Sequence, residues 1–330
     1  MCAKKILEIG NPPITSYSTD ATVLSILPFD EIGHMWFFEK YVPMMAIRDG
    51  ILFTSFPNTD DFSCPQLTQE EIGVKKALET GNCDIIDFII EKINNDEYMS
   101  LSVDTFYVKA FWSHKSSHFY HPIFIYGYDA DRQEIYFGDF VSFEGFKFTK
   151  ASFGEITESV LEPLPDDSLS DVWRDTTAFI FKKREAPTYD IGRVFQAVEK
   201  YVSGSNIYCT FIKNEPIWYG LDAVYDKVIC EIGKYNSNED FYDRRILAIY
   251  CDHLKVLSML SEFLYAGKYM AENHSGKFYE MYQASVIQRN KFLKSIVANA
   301  HKKVDLDVIS KNRENERILL TGIISDKNRC

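Results

Sequence analysis

The sequence lacks the short motifs that identify a common nucleotide or metal site. Its 16 glycines are dispersed, and no G-x-G-x-x-G or G-x-x-x-x-G-K-S/T pattern occurs. No C-x-x-C pair occurs either, and the seven cysteines are an odd number scattered along the chain. These absences argue against a phosphate-binding loop, a structural zinc site and a disulfide framework. The absence of an internal repeat argues against a solenoid.

Positive charge and long apolar runs are also scarce. The chain has 36 Lys and Arg residues against 48 Asp and Glu residues, which gives a net charge of −12 at pH 7. Nucleic acids and anionic membranes both select basic surfaces, so we expect neither as a partner. No apolar run approaches the roughly 18 residues of a spanning helix, and the N-terminus has no apolar signal region. Together these features predict a cytoplasmic protein.

Apolar and aromatic residues, in contrast, are abundant, at 46% and 15% of the chain. A chain of 330 residues with this composition is long enough for two buried cores, which predicts two domains. Short, mixed apolar patterns come before the segment Arg184–Thr188, and long helical patterns come after it. The segment itself is polar and contains a proline, which is typical of a linker. We therefore predict one domain over residues 1–186 and a second over residues 187–330.

The first domain is predicted to combine helices with an antiparallel sheet. Helical patterns cover residues 18–27, 32–45 and 69–94. The third begins with the capping-box pattern Thr68–Glu71 and is interrupted at Gly81 and Asn82. Strand-like runs follow at residues 103–108, 122–126, 134–137, 146–148 and 178–181.

The second domain is predicted to be helical, which makes the fold class α+β. Its helical patterns cover residues 191–203, 219–235, 244–266 and 277–300. The third of these has an apolar stripe with steps of three or four residues, formed by Leu247, Tyr250, Leu254, Leu257, Leu260 and Leu264. Such a stripe indicates a helix packed in a bundle.

Residues 118–139 carry the pattern that is most informative about chemistry. Two apolar runs flank a polar turn, which predicts a hairpin centred near Ala130 or Asp131. If residues equidistant from the centre pair, His121 lies opposite Asp139 with the two Cβ atoms about 5 Å apart. A carboxylate at that distance can accept a hydrogen bond from the imidazole and orient it as a general base. The same spacing also fits a strand-end histidine and a turn aspartate with no chemical role.

The hairpin resembles part of a known fold. A histidine that starts an apolar strand, followed by Gly127-Tyr128-Asp129 and a strand that ends in Asp139, is similar to the C-terminal half of papain-like cysteine peptidases. The resemblance extends to the bacteriocin-leader peptidases and, more broadly, to the butirosin biosynthesis protein H family of acyltransferases. In that family a helical region follows the peptidase-like half, which is the order found here. The resemblance implies a papain-like domain over residues 1–186.

The resemblance also implies a nucleophile at the start of a short helix. The family has a cysteine there, and Ser18 stands at the corresponding position of this chain. A shift of one or two residues would make Thr19 or Asp20 the equivalent. The upstream glutamine of the oxyanion hole has no counterpart, and Asn11 is the nearest amide. The simpler interpretation of Ser18 is an N-cap of the helix, because serine is a common capping residue.

The function that the resemblance implies is acyl transfer in specialised metabolism. An acyl or aminoacyl group would pass from the phosphopantetheine thioester of an acyl or peptidyl carrier protein to an amine. Ser18 would attack, His121 would transfer the proton and Asp139 would orient His121. Two alternatives stay open: a scaffold that binds a carrier protein or peptide without catalysis, and a thioester or peptide hydrolase. We expect no bound cofactor and no metal.

A carrier protein is usually acidic, as is this chain, so docking requires a local basic surface. Lys291, Lys294, Lys302 and Lys303 are the candidates.

Four cysteines outside this hairpin have predicted environments. Cys64 and Cys83 lie near predicted helix starts, where a thiol can have a lowered pKa, although neither fits the chain order of the family. Cys230 and Cys251 fall in helical patterns and are predicted to be buried in the core.

Overall fold

A computed structural model describes residues 3–48, 50–53, 64–142, 145–161, 177–186, 188–204, 217–239, 245–298 and 302–327. The chain divides into two compact units. The first comprises Met1–Pro28 and Ser63–Ala186, and the second comprises Phe29–Phe62 and Pro187–Cys330. The chain therefore passes between the units three times, and one of these passages is at Ala186 and Pro187 within the predicted linker.

The described residues form ten strands and ten helices. The strands are β1 (Lys4–Ile6), β2 (Met44–Ile47), β3 (Gly50–Phe53), β4 (Leu67–Gly73), β5 (Glu97–Asp104), β6 (Tyr120–Asp129), β7 (Glu134–Ser142), β8 (Gly145–Ser152), β9 (Thr177–Lys183) and β10 (Trp218–Tyr219). The helices are α1 (Ser18–Ile26), α2 (Glu31–Tyr41), α3 (Val74–Gly81), α4 (Ile85–Asn94), α5 (Phe153–Leu161), α6 (Ile191–Ser203), α7 (Leu221–Asn236), α8 (Ile246–Ala266), α9 (Ser275–Val297) and α10 (Leu306–Lys327).

The first unit is built on a seven-stranded antiparallel sheet. Six strands follow the order β4-β9-β5-β6-β7-β8, and β1 pairs with the distal part of β6. The central strands are almost continuously buried because α1, α4 and α5 pack against them. The second unit contributes the long helices α7 to α10. The predicted α+β class, with an antiparallel sheet in the first part and helices in the second, is confirmed.

Strands β6 and β7 form the predicted hairpin, but its register differs from the predicted one. The turn occupies residues 130–133, and Gln133 adopts a left-handed conformation with φ of 55°. A β-bulge at Tyr126 then adds one residue to β6, so that Ile125 faces Phe137. Continued toward the strand end, this register sets His121 opposite Val141 rather than opposite Asp139. His121 and Asp139 are therefore diagonal neighbours, which lie within reach of each other across a strand pair.

The predicted helix over residues 69–94 is wrong in its first part. Leu67–Gly73 forms the edge strand β4, in which Gln69 pairs with Phe181 of β9. The capping-box pattern is a local preference of the chain, and pairing with β9 outweighs it. The predicted interruption is confirmed, because Asn82 ends α3 in the left-handed conformation with φ of 46°.

The helices of the second unit agree closely with the predicted ranges, and α6 has the predicted bounds. All six residues of the predicted apolar stripe of α8 are fully buried. The predicted helix over residues 32–45 ends at Tyr41, and Met44–Ile47 instead forms β2 in a small antiparallel sheet of order β10-β2-β3. That sheet and α10 were not predicted from the sequence.

A polar network crosses the interior of the helical bundle in the second unit. Glu316 of α10 and His253 of α8 are both fully buried, and His253 Nε2 lies 2.9 Å from Glu316 Oε1. The Tyr225 hydroxyl donates to Glu316 Oε2 at 2.7 Å and accepts a hydrogen bond from Tyr250. Burial and the Glu316 carboxylate hold the pKa of the Tyr225 hydroxyl well above its usual range. These groups join three helices through bonds made away from water.

Candidate active site

A hydrogen-bonded histidine–aspartate pair lies at one end of the sheet of the first unit. His121 Nδ1 is 2.7 Å from Asp139 Oδ2, so the predicted contact is present despite the shifted register. Asp139 is fully buried, whereas the side chain of His121 is 25% exposed. The other carboxylate oxygen, Asp139 Oδ1, accepts the backbone N–H of Phe140 at 2.7 Å. Both carboxylate oxygens are thus engaged, and the carboxyl group is held in one orientation.

This arrangement orients the imidazole for proton transfer. With Nδ1–H donated to Asp139, the ring presents the lone pair of Nε2. Among the described residues, Nε2 of His121 has no hydrogen-bond partner. Phe119 lies against the imidazole with ring centroids 5.6 Å apart and covers one face of the ring. The pair therefore has the geometry of a general base with a buried orienting carboxylate.

A second pair of the same kind, which sequence reasoning missed, lies nearby. His118 Nδ1 is 2.6 Å from Asp104 Oδ2, and Asp104 is almost fully buried. Asp104 Oδ1 also accepts the backbone N–H groups of Phe106 and Phe119. The ring of His118 stacks on Phe106 with centroids 4.1 Å apart. The sequence signal was an aspartate that ends one strand and a histidine just before the next.

The two pairs lie on opposite faces of the sheet. In the ladder between β5 and β6, Asp104 is opposite Tyr120 and Val103 is opposite His121. Successive residues of a strand point to opposite faces, so the side chains of Asp104 and His121 diverge. Asp104 also holds the two ends of the loop between β5 and β6 through backbone bonds. We therefore assign the Asp104–His118 pair to loop structure.

Helix α1 begins at Ser18 and packs against β6 and β7, the strands that carry His121 and Asp139. The N-cap position is Tyr17, which makes no side-chain capping bond, so the capping interpretation of Ser18 is wrong. Ser18 is half-buried at the first helical position, where the helix dipole and amide N–H groups favour developing negative charge. Among the described residues, its hydroxyl makes no hydrogen bond with His121 or Asp139.

The two alternative nucleophile positions are less accessible than Ser18. Asp20 is 1% exposed, and the Thr19 hydroxyl oxygen is buried without a hydrogen-bond partner among the described residues. Asn11, the nearest amide for an oxyanion hole, is exposed to solvent.

The buried Thr19 hydroxyl is expected to lower the stability of the protein. A buried hydroxyl without a partner costs free energy, so Thr19→Val should raise the free energy of unfolding by about 1 kcal/mol. Thr19→Ser, which keeps the hydroxyl and loses the methyl group, should show no such gain. Urea unfolding followed by circular dichroism measures both variants. Equal midpoints for Thr19→Val and the unmodified protein would show that the hydroxyl has found a partner.

The two cysteines near predicted helix starts do not have the properties of a nucleophile. Cys64 is 1% exposed. Cys83 precedes α4, but burial and the nearby carboxylates of Glu91, Asp87 and Asp84 raise the pKa of its thiol. The expectation of a lowered pKa at Cys83 is therefore wrong, because burial and the neighbouring carboxylates both disfavour the thiolate.

The helical cysteines differ from each other. Cys251 is fully buried in α8, as predicted, and burial raises the pKa of its thiol to about 12. Cys230 is exposed on α7, so the prediction that it lies in the core is wrong. The helical pattern was correct, but α7 turns this position away from its neighbours. Cys2, Cys209 and Cys330 lie outside the described residues.

Over the part of the chain that the structure describes, no group of three or more His, Cys, Asp and Glu side chains is arranged to hold a metal ion. Over the same residues, no helix combines the length and apolar character that crossing a membrane requires.

Neither the known family models nor the curated proteins contain a match to this chain.

Proposed function

We propose that the protein is an acyltransferase that moves an acyl or aminoacyl group from a carrier-protein thioester to an amine. The observation that carries the proposal is the pairing of partly exposed His121 with buried Asp139 on the two strands against which α1 packs. Nucleophilic acyl transfer uses a general base held by a buried carboxylate together with a hydroxyl at a helix N-terminus, and β6, β7 and α1 carry these groups.

In the first half-reaction, Ser18 Oγ attacks the thioester carbonyl carbon while His121 Nε2 accepts the hydroxyl proton. The backbone N–H groups at the start of α1 stabilise the negative charge on the carbonyl oxygen. The carbon–sulfur bond then breaks, and the imidazolium returns the proton to the leaving thiolate. The products are a free thiol and an ester on Ser18.

In the second half-reaction, the amine attacks the ester carbonyl carbon and His121 accepts one of its protons. The bond between the carbonyl carbon and Ser18 Oγ breaks, and Oγ takes the proton back from His121. The products are an amide and the original hydroxyl. Asp139 keeps Nδ1–H of His121 engaged throughout, so Nε2 is the atom that moves the proton in both halves.

A thioester donor suits this site. A thioester is activated before it binds, so the barrier that Ser18 must overcome is lower than for an amide substrate. Holding the donor close to an oriented general base can then provide most of the rate enhancement.

The proposal is tested by intact-mass spectrometry of the purified chain after incubation with a panel of acyl-pantetheine thioesters. We expect a mass gain equal to the acyl group, and we expect it to be absent in Ser18→Ala and His121→Ala. Peptide mapping should place the group on Ser18. An adduct that persists in Ser18→Ala and is lost in Thr19→Val would move the nucleophile by one residue and overturn the role of Ser18.

A second candidate function is a scaffold of the same fold that binds a carrier protein or peptide without acyl transfer. The observation that favours it is that Ser18 makes no hydrogen bond with His121 among the described residues. No acyl adduct with any donor, together with carrier binding that is equal in the unmodified protein and in Ser18→Ala and His121→Ala, would select the scaffold. Release of free acid in place of an amide would instead select a hydrolase.

A further inference from the structure

The charge of the chain is unevenly distributed. Residues 281–304 contain five Lys and Arg residues and no Asp or Glu, although the whole chain has a net charge of −12. This segment covers most of α9 and the residues that lead to α10. The segment is therefore a basic region within an acidic protein.

The cations of this segment are available to a partner. Lys291, Lys294, Lys302 and Lys303 are exposed, and none of the four forms an ion pair within the described residues. Elsewhere in the same unit, Lys227 and Lys234 both bind Glu231 at 2.8 Å. The ammonium groups of the four lysines are thus available to pair with carboxylates of another molecule.

Exposed apolar side chains accompany these lysines. Ten large hydrophobic residues are exposed in the described part of the chain, and helix α9 carries four of them, Tyr279, Ile287, Leu293 and Val297. Val297 is 85% exposed. At 100° per residue these four positions share one face, and they extend along about 27 Å of the helix. We call this face, together with the four lysines, the basic face of α9.

We propose that the basic face of α9 is the docking surface for the acidic helix of an acyl or peptidyl carrier protein. This inference rests on the proposed function, because it names the partner that would deliver the thioester. The apolar residues would pack against the partner helix, and the lysines would pair with its carboxylates at the rim. Rim charges of this kind raise the association rate and set the salt dependence.

The pattern of the face favours a protein helix over a membrane. Polar Gln283 and Asn290 separate the apolar residues, so the exposed apolar surface is a narrow stripe one helix wide. Interfacial membrane helices bury a broad apolar face, and a chain of this net charge is repelled by an anionic bilayer.

The experiment measures binding of the full-length chain to apo-acyl carrier protein and apo-peptidyl carrier protein by fluorescence anisotropy at two salt concentrations. The test variant is Lys291→Glu/Lys294→Glu. The matched control is Lys75→Glu/Lys76→Glu, which gives the same change in net charge at two exposed lysines on α3 that form no ion pair with any residue the structure describes. We expect the test variant to weaken binding by about 10-fold or more, and the control to change it by less than about 2-fold.

A complementary exchange provides the rescue. Acidic-to-lysine changes in the recognition helix of the carrier should restore binding to Lys291→Glu/Lys294→Glu. Lys294 lies in the last turn of α9, where a cation also stabilises the helix end, so the melting temperatures of both variants are compared. Weaker binding that tracked a lower melting temperature, without rescue, would overturn the proposal.

Three other results would also overturn it. In the first, the test and control variants weaken binding equally. In the second, neither carrier protein binds. In the third, the protein binds anionic phospholipid vesicles and the test variant loses that binding instead. Because the carriers are used without a thioester, docking is measured independently of acylation at Ser18. Docking without any acyl adduct would therefore overturn the proposed acyl transfer and support the docking surface. An acyl adduct without docking would support acyl transfer and overturn the docking surface.

Discussion

His121→Ala is expected to reduce the rate of acyl-adduct formation by about 10²- to 10⁴-fold, because it removes the general base that we propose for the Ser18 hydroxyl. Asp139→Asn should also reduce the rate severely, because the amide can donate to Nδ1 and so stabilise the tautomer that has no lone pair on Nε2. The rates of all variants are measured with one acyl-pantetheine donor, by intact-mass spectrometry of samples quenched at successive times.

The structure offers a close control for this prediction. His118 has nearly the same exposure as His121 and the same kind of buried carboxylate partner, and it lies three residues away. His118→Ala should leave the rate within a few-fold of the unmodified protein, because Asp104 and His118 lie on the opposite face of the sheet. A larger loss in His118→Ala than in His121→Ala would show that the wrong pair has been assigned to catalysis.

Glu316→Ala is expected to lower the free energy of unfolding by about 3–5 kcal/mol. The substitution removes the acceptor of both His253 and Tyr225, and neither side chain is exposed to water. Glu316→Gln keeps one acceptor oxygen at nearly the same volume and should cost less. Urea unfolding followed by circular dichroism compares the midpoints.

Glu314→Ala is the matched control, because Glu314 lies exposed on the same helix. It should change stability by less than about 0.5 kcal/mol. Replacing both members of the pair, as in His253→Leu/Glu316→Leu, should recover part of the loss, because the buried imidazole is removed together with its partner and only the Tyr225 hydroxyl loses its acceptor. Equal effects of Glu316→Ala and Glu314→Ala would show that the network contributes nothing to stability.

Much of the fold follows from local patterns. The α+β class, the bounds of α6 and the buried stripe of α8 depend on apolar periodicity and on turn residues that are close in sequence. The contact between His121 and Asp139 was also predictable, because a hairpin brings together residues that are near each other along the chain. These features are determined by the sequence alone.

Other features were decided by contacts between residues far apart in the sequence. Pairing with β9 made Leu67–Gly73 a strand in spite of its helix-start pattern. The exposure of Cys230 depended on which face of α7 its neighbours cover. Local preferences are worth a few tenths of a kcal/mol to about 1 kcal/mol per residue, so a ladder of strand hydrogen bonds or a buried face outweighs them.

The polar pairs show the same division most clearly. Tertiary packing brings together Glu316 and His253, from helices 63 residues apart, whereas Asp104 and His118 lie 14 residues apart at the connection of two neighbouring strands. The sequence alone predicted the helix that carries His253, but it did not predict α10, which carries Glu316. Only the tertiary structure decided which carboxylate meets which imidazole, because burial away from water makes each pairing necessary and the packing of distant elements selects the partner.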